Sequence, residues 1–290
     1  MRHRHRRAKT TAMTHEALTR AANLIADADA LLVTAGAGMG VDSGLPDFRG
    51  NDGFWNAYPA LGRARMAFTT VASPQTFRED PQLAWGFYGH RLALYRATVP
   101  HAGFELLRAW GGRLEHGLGV FTSNVDGQFQ RAGFDPRRIV ECHGSIHHLQ
   151  CMTPCTDAIW PADAFQPQVD ADACRLANAP PRCPHCGRLA RPNILMFGDG
   201  EWLEHRSEAQ QERLLRWLAD ARRPVVVELG AGTAIPSVRH FGQRVVHGGG
   251  RLVRINPREP EVASVRDCGI AMGALAGLRA IDALLHPRAG

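Results

Sequence analysis

Thr34-Ala-Gly-Ala-Gly-Met-Gly-Val-Asp-Ser-Gly-Leu-Pro-Asp-Phe-Arg-Gly50 is the stretch on which the reading of this chain turns. It follows Ala30-Leu-Leu-Val33, a short apolar run of the kind that forms a parallel strand buried on both faces. Glycines after such a strand let the backbone turn sharply and approach a ligand closely. Main-chain N–H groups in the turn can bind a pyrophosphate, and Arg49 adds a planar, fixed positive charge suited to phosphate. Gly36 and Gly38 open a G-x-G-x-x-G dinucleotide fingerprint, but Val41 stands at its third glycine position, so glycine spacing alone leaves an ordinary α/β turn open.

Outward from this turn, strands and helices alternate. Helical periodicity runs from His15 to Asp29 with Thr14 as N-cap, over Pro81–Thr98, over His101–Trp110, over Ser207–Arg222 and over 272–285. Buried strands are expected at Gly119–Asn124, Arg138–Glu141, Ile194–Phe197, Val225–Gly230 and Leu252–Asn256. A second glycine turn, Gly230-Ala-Gly-Thr233, follows one of them. Alternation of this kind implies a doubly wound parallel sheet, whose ligands sit beyond the carboxyl ends of the strands. The turn at 34–38, Ser123–Asp126, the turn at 230–233 and Asn256 all fall at such ends.

The chain has 290 residues, room for one large domain with an insert. No apolar run is long enough to span a membrane. The formal charge is +6 and Lys9 is the only lysine. Residues 1–13 read as a disordered basic leader with no apolar segment behind it, so a secretory signal is not expected and a cytoplasmic location is the default. No helix-turn-helix or aromatic–basic interleaving supports a nucleic-acid partner. The seven cysteines, odd in number and without an export signal, favour a metal site or free thiols over disulfides. Cys151-x3-Cys155 and Cys183-Pro-His-Cys186 lie within spacings zinc tolerates, with Cys174 and His185 as substitutes. Between residues 151 and 191 periodicity is lost, as in a small metal-stapled insert.

Several segments together resemble the sirtuins, the NAD-dependent protein deacylases. GAGMGVDSGLPDFRG resembles their opening NAD-binding motif. Thr122-Ser-Asn-Val-Asp126 resembles Thr-Gln-Asn-Ile-Asp, Glu141-Cys-His-Gly-Ser145 their His-Gly segment, and Arg191-Pro-Asn-Ile-Leu-Met-Phe-Gly-Asp199 the segment after their zinc module. The resemblance implies a Rossmann-like core (14–50, 104–146 and 192–290), a helical segment (51–103) and a zinc module (147–191). It implies NAD as co-substrate, held by Ala35, Gly36, Ala37, Gly38, Asp47, Phe48, Arg49, Ser123, Gly230, Gly232, Thr233 and Asn256. Asn124, Asp126 and His143 would be catalytic, the histidine as the base that titrates near neutrality. Structural Zn2+ would be bound by Cys151, Cys155, Cys183 and Cys186. An acylated-lysine protein or peptide would pair with the strand edge at Leu195, Phe197 and Gly198. The string Phe87-Tyr-Gly-His-Arg91 resembles the pair that receives acidic acyl groups in some sirtuins, and a spacing of three puts Tyr88 and Arg91 on one helix face. The implied reaction transfers the acyl group to ADP-ribose and releases nicotinamide. ADP-ribosyl transfer, NAD hydrolysis and an NAD-sensing module without turnover are the rival readings. Departures from the family pattern include Gly40 for Ser, Ser123 for Gln, Gln128-Phe129 for Leu-His, Ala234 for Ser and Asp199 for Glu.

Overall fold

The computed structural model describes the backbone of residues 2–47 and 50–286, with side chains described at 14–47 and 54–286. The leader expected at 1–13 and the roles expected of Phe48 and Arg49 fall outside the described side chains.

The strands, in chain order, are β1 (Ala30–Ala35), β2 (Gly117–Thr122), β3 (Ile139–Glu141), β4 (Gly144–Cys151), β5 (Ile159–Pro161), β6 (Val169–Asp170), β7 (Arg175–Leu176), β8 (Ala190–Ile194), β9 (Pro224–Leu229), β10 (Arg251–Ile255) and β11 (Cys268–Ile270). Six of them form a parallel sheet in the order β11-β10-β9-β1-β2-β3. Every residue of β1 is buried, because the strand is central and covered on both faces. Leu31 and Val33 face one layer and pack with Ile25, Leu107, Trp110, Leu278 and Ile281. These come from helices Arg2–Ala26, Ala102–Gly111 and Ala274–Leu285. Leu32 faces the other way, toward Leu214 and Phe241 on helices His205–Ala219 and Ser237–His247. The period-two alternation of side chains divides one apolar run between two cores. Strand order reverses at the β1–β9 pair, where a doubly wound sheet opens a crevice.

A second core lies beyond the carboxyl edge of this sheet. Helix Pro81–Ala97 packs against the antiparallel sheet β5-β4-β8 and the β6–β7 hairpin. Phe54, Phe77, Trp85, Tyr88, Ile146 and Leu149 fill the interface, and Trp85 donates its indole N–H to the Ala190 carbonyl at 3.0 Å.

Two expectations are corrected. Thr14 is not an N-cap: it lies within a helix that runs from Arg2 to Ala26. The strand expected at Ile194–Phe197 is β8, Ala190–Ile194. It stops there because the Asp199 carboxylate takes the Met196 N–H at 3.2 Å and the Phe197 N–H turns to the Ala72 carbonyl at 3.0 Å. β11 was not anticipated; its three residues are too few to show a period.

Candidate active site and metal centre

The crevice is built by two glycine turns set backbone against backbone. The Gly36 N–H donates to Leu229 O at 3.0 Å and the Gly38 N–H to Gly230 O at 3.1 Å. A Cβ on Gly36 would lie 2.8 Å from Ala231 Cα; one on Gly230, whose φ is +57°, would lie 2.4 Å from Gly38 Cα. Gly232, by contrast, has nothing within 4 Å of its Cβ position, and its backbone faces a cavity of about 620 Å³. An exposed glycine backbone on a cavity wall at the switch point suits the close approach a pyrophosphate needs.

Side chains from two further strand ends reach the same cavity. After β2, the Asn124 Nδ2 donates to Gly36 O at 3.0 Å, and the Thr122 hydroxyl donates to Ala35 O at 2.9 Å. These bonds tie the Asn/Asp loop to the first glycine turn. Asp126 accepts the Gln128 N–H at 2.9 Å. Burial pushes its carboxyl up to about 6, a rise that this hydrogen bond opposes. After β3, His143 faces the cavity with its Nε2 3.2 Å from Ser237 Oγ. Burial holds its imidazole below the ordinary range, so the ring is neutral at pH 7. A neutral imidazole facing a cavity can take up a proton.

The far end of the cavity is walled by the helix Pro81–Ala97 and the segment after β8. Tyr88 and Arg91 both line it and both are buried. Burial pushes the Tyr88 phenol up to about 12, so it remains a hydrogen-bond donor. Leu195 and Phe197 also line the cavity and are 40% and 39% exposed. They therefore bridge cavity and solvent, as a peptide-docking edge must. Behind them the Asp199 side chain is fully buried, ion-paired to Arg191 at 2.7 Å, and it also accepts the Glu201 N–H at 3.0 Å. This pair sets the path of 195–199.

The four cysteines Cys151, Cys155, Cys183 and Cys186 converge, with all their sulfurs within 4.8 Å of one another. The Cys151–Cys186 and Cys155–Cys183 sulfurs are 3.7 Å apart. A tetrahedron of Zn–S bonds has edges of about 3.8 Å, so the donor set fits Zn2+ and leaves no open position. Cys174 and His185 are not in the cluster.

Of the other expected site residues, Ala37, Asp47, Ser123 and Thr233 line the cavity. Ala35 and Gly38 sit in the strand end and turn behind it. Asn256 is wholly buried: it donates to Ala231 O at 2.9 Å and accepts the Arg258 and Glu259 N–H groups, so it holds the second glycine turn in place. Gly198 is exposed at φ +68°, outside the cavity wall. Tyr95, Arg258 and Glu259 also line the cavity and were not singled out from the sequence. Tyr95 lies seven residues after Tyr88, two helical turns along the same face, and that period was the available signal. Arg258 and Glu259 sit in a loop with no such cue.

A crevice at the reversal of strand order, walled by glycine backbone, defines the class of dinucleotide-binding α/β proteins. Within that class, the model of the Sir2 family matches residues 36–215, and the chain belongs to that family. NAD-dependent protein deacylase 1 of Pseudomonas aeruginosa is 32% identical over 239 residues, covering 81% of this chain and 86% of that protein. NAD-dependent protein deacylase of Aeropyrum pernix is 28% identical over 263 residues, covering 90% and 94%. A Sir2 homologue solved as its NAD complex is similar in fold, with a TM-score of 0.65 at 24% identity over 91% of this chain and 92% of that one. Sir2Tm bound to a propionylated peptide gives 0.62 at 20% identity, over 89% and 93%.

Proposed function

We propose that this chain is an NAD-dependent protein-lysine deacylase that moves the acyl group of an acylated lysine onto ADP-ribose and releases nicotinamide. One juxtaposition carries the reading: Asn124, Asp126 and His143 face the same cavity as both glycine turns and as Tyr88, Arg91, Leu195 and Phe197. The names of the relatives support it. No helix among the described residues is long and apolar enough to cross a membrane. A cytoplasmic location is proposed because cysteines that are free of disulfides, four of them clustered, suit a reducing compartment.

In this reading Gly36, Ala37, Gly38, Asp47, Gly230, Gly232 and Thr233 hold the cofactor. Ala35 and Asn256 hold its two turns, and Phe48 and Arg49 belong to the same loop. Residues 14–50, 104–146 and 192–290 form the cofactor-binding core, 51–103 the helical segment and 147–191 the metal module. NAD, when bound, supplies the ribose carbon that the acyl oxygen takes over from nicotinamide. Ser123, Asn124 and Asp126 orient the ribose end by hydrogen bonds. His143, neutral before the reaction, takes a ribose hydroxyl proton at Nε2, with Ser237 Oγ beside it. Leu195, Phe197 and Gly198 offer backbone to an extended peptide, and Tyr88 and Arg91 receive the acyl chain, with a carboxylate-ended acyl group favoured. Cys151, Cys155, Cys183 and Cys186 hold a structural Zn2+ that cross-links the module.

Purified protein with NAD and matched acetyl-lysine and succinyl-lysine peptides, followed by mass spectrometry, tests this reading. Acyl-ADP-ribose and nicotinamide are expected. ADP-ribosylated protein or free ADP-ribose without acyl transfer would replace the reading with the transferase or hydrolase, and NAD binding without nicotinamide release with a binding module.

A further inference from the structure

The chain contains three tyrosines, and all three gather about Arg91. Its guanidinium carbon lies 5.7 Å from the Tyr88 ring, 5.4 Å from the Tyr95 ring and 5.2 Å from the Phe87 ring. Tyr58 packs edge-on against Phe87, 4.9 Å away. Within this aromatic cage Arg91 Nε donates to Tyr95 Oη at 2.9 Å. Tyr95 is anchored in turn, its backbone carbonyl accepting from Gln128 Nε2 at 3.3 Å. The Gln128 backbone N–H donates to Asp126. A line of hydrogen bonds thus joins the acyl end of the cavity to the Asn/Asp loop. Gln128 is wholly buried and stands where the sirtuin pattern has a leucine, which could not make the side-chain bond.

We infer that Tyr95, anchored by Gln128, is a specificity-determining positioning residue: it sets the plane of the Arg91 guanidinium for an acyl chain that ends in a carboxylate. This inference rests on the reading of Tyr88 and Arg91 as the acyl subsite. The guanidinium is a flat fork, and a carboxylate meets two of its N–H groups only when the plane is correctly turned. The Tyr95 phenol holds Nε and so fixes rotation about the last side-chain bond. The aromatic rings restrict the remaining freedom. An arginine oriented before the substrate arrives loses less freedom on binding, which strengthens capture of the carboxylate. A neutral acyl chain makes no such demand on the plane.

The test is steady-state kinetics of wild type, Tyr95→Phe, Gln128→Leu and Arg91→Ala on matched succinyl-lysine and acetyl-lysine peptides at saturating NAD. Tyr95→Phe keeps the ring and removes the acceptor. It is expected to lower the succinyl-to-acetyl ratio of kcat/KM about tenfold, the order expected for a lost hydrogen bond to a charged group. The change should appear in KM for the succinyl peptide rather than in kcat. An equal loss on both peptides would make Tyr95 merely structural and overturn the inference. So would an unchanged ratio in Tyr95→Phe alongside a collapsed ratio in Arg91→Ala, and in that case the subsite reading survives. A ratio unmoved by Arg91→Ala removes the subsite itself. If Tyr95→Phe does not fold, Gln128→Leu reads the same ratio without touching Arg91, and an unchanged ratio there overturns the inference.

Discussion

Gly36→Ala tests the architecture of the crevice most directly. Gly36 has φ −108° and ψ −173°, ordinary extended backbone, so alanine meets no dihedral strain there. The obstacle is contact. The new Cβ would sit 2.8 Å from Ala231 Cα and 2.9 Å from Gly230 O. Ordinary carbon contacts begin near ~3.4 Å, a shortfall of about 0.6 Å against main-chain atoms that cannot rotate aside. The two turns must separate, stretching the Gly36–Leu229 and Gly38–Gly230 hydrogen bonds. Overpacking of this kind costs up to about 3 kcal/mol. Alanine's smaller unfolded-state entropy returns at most about 1 kcal/mol, leaving a net loss of about 2 kcal/mol. For a chain of this size that corresponds to a fall in Tm of roughly 3 °C. NAD affinity should fall on the order of tenfold, because both turns that would be pushed apart line the cavity expected to hold the cofactor. Gly232→Ala is the internal comparison: nothing lies within 4 Å of its Cβ, so its Tm should match wild type. Differential scanning calorimetry and titration calorimetry with NAD read both quantities. A Gly36→Ala protein that melts within about 1 °C of wild type and binds NAD unchanged would refute the packing argument.

Four further outcomes follow from the site. His143→Ala should bind NAD normally and lose at least about a hundredfold in turnover; undiminished turnover removes the residue from the mechanism. Because burial keeps His143 below its ordinary range, its basic form persists as pH falls through 7, and turnover should decline only below about pH 6.5; a rate already halved at pH 7 contradicts this. Asp126 has a folded-state value of about 6 against 3.8 for the free group, so the folded chain binds its proton more tightly than the unfolded one. Stability therefore falls as pH rises through that window, by at most about 3 kcal/mol. Asp126→Asn should abolish deacylation yet raise Tm at pH 7.5, with the gain vanishing near pH 4; melts at both values check it, and no gain at pH 7.5 counts against it. Elemental analysis should find about one zinc per chain, lost in Cys155→Ser with a large fall in Tm; zinc-free protein of undiminished stability would overturn the structural role.

Much of this was readable along the chain because the physics is local. A short apolar run that leads into a glycine turn suits a strand buried on both faces, as β1 is. Two cysteine pairs at tolerated spacings make a thiolate cluster once their loops fold back. Tyr88 and Arg91 share a face because a helix turns every ~3.6 residues. What depended on distant partners was not readable. The need for glycine at position 36 comes from Ala231 across the β1–β9 pair, and the order of strands is set by which faces can be covered together. Asn256 carried a strand-end signature, but only the fold shows its side chain spent on the second glycine turn. The end of β8 was misplaced because the competing acceptor, Asp199, is held by an ion pair to a buried arginine. Tyr95 shares a helix face with Tyr88, but its tie to Gln128 comes from another element. Sequence by itself determined the alternation of strands and helices, the two candidate cysteine pairs and the family resemblance. The tertiary structure decided which strand ends meet, which groups are desolvated and hence which way His143 and Asp126 shift, because contact and burial are properties of segments brought together from across the chain.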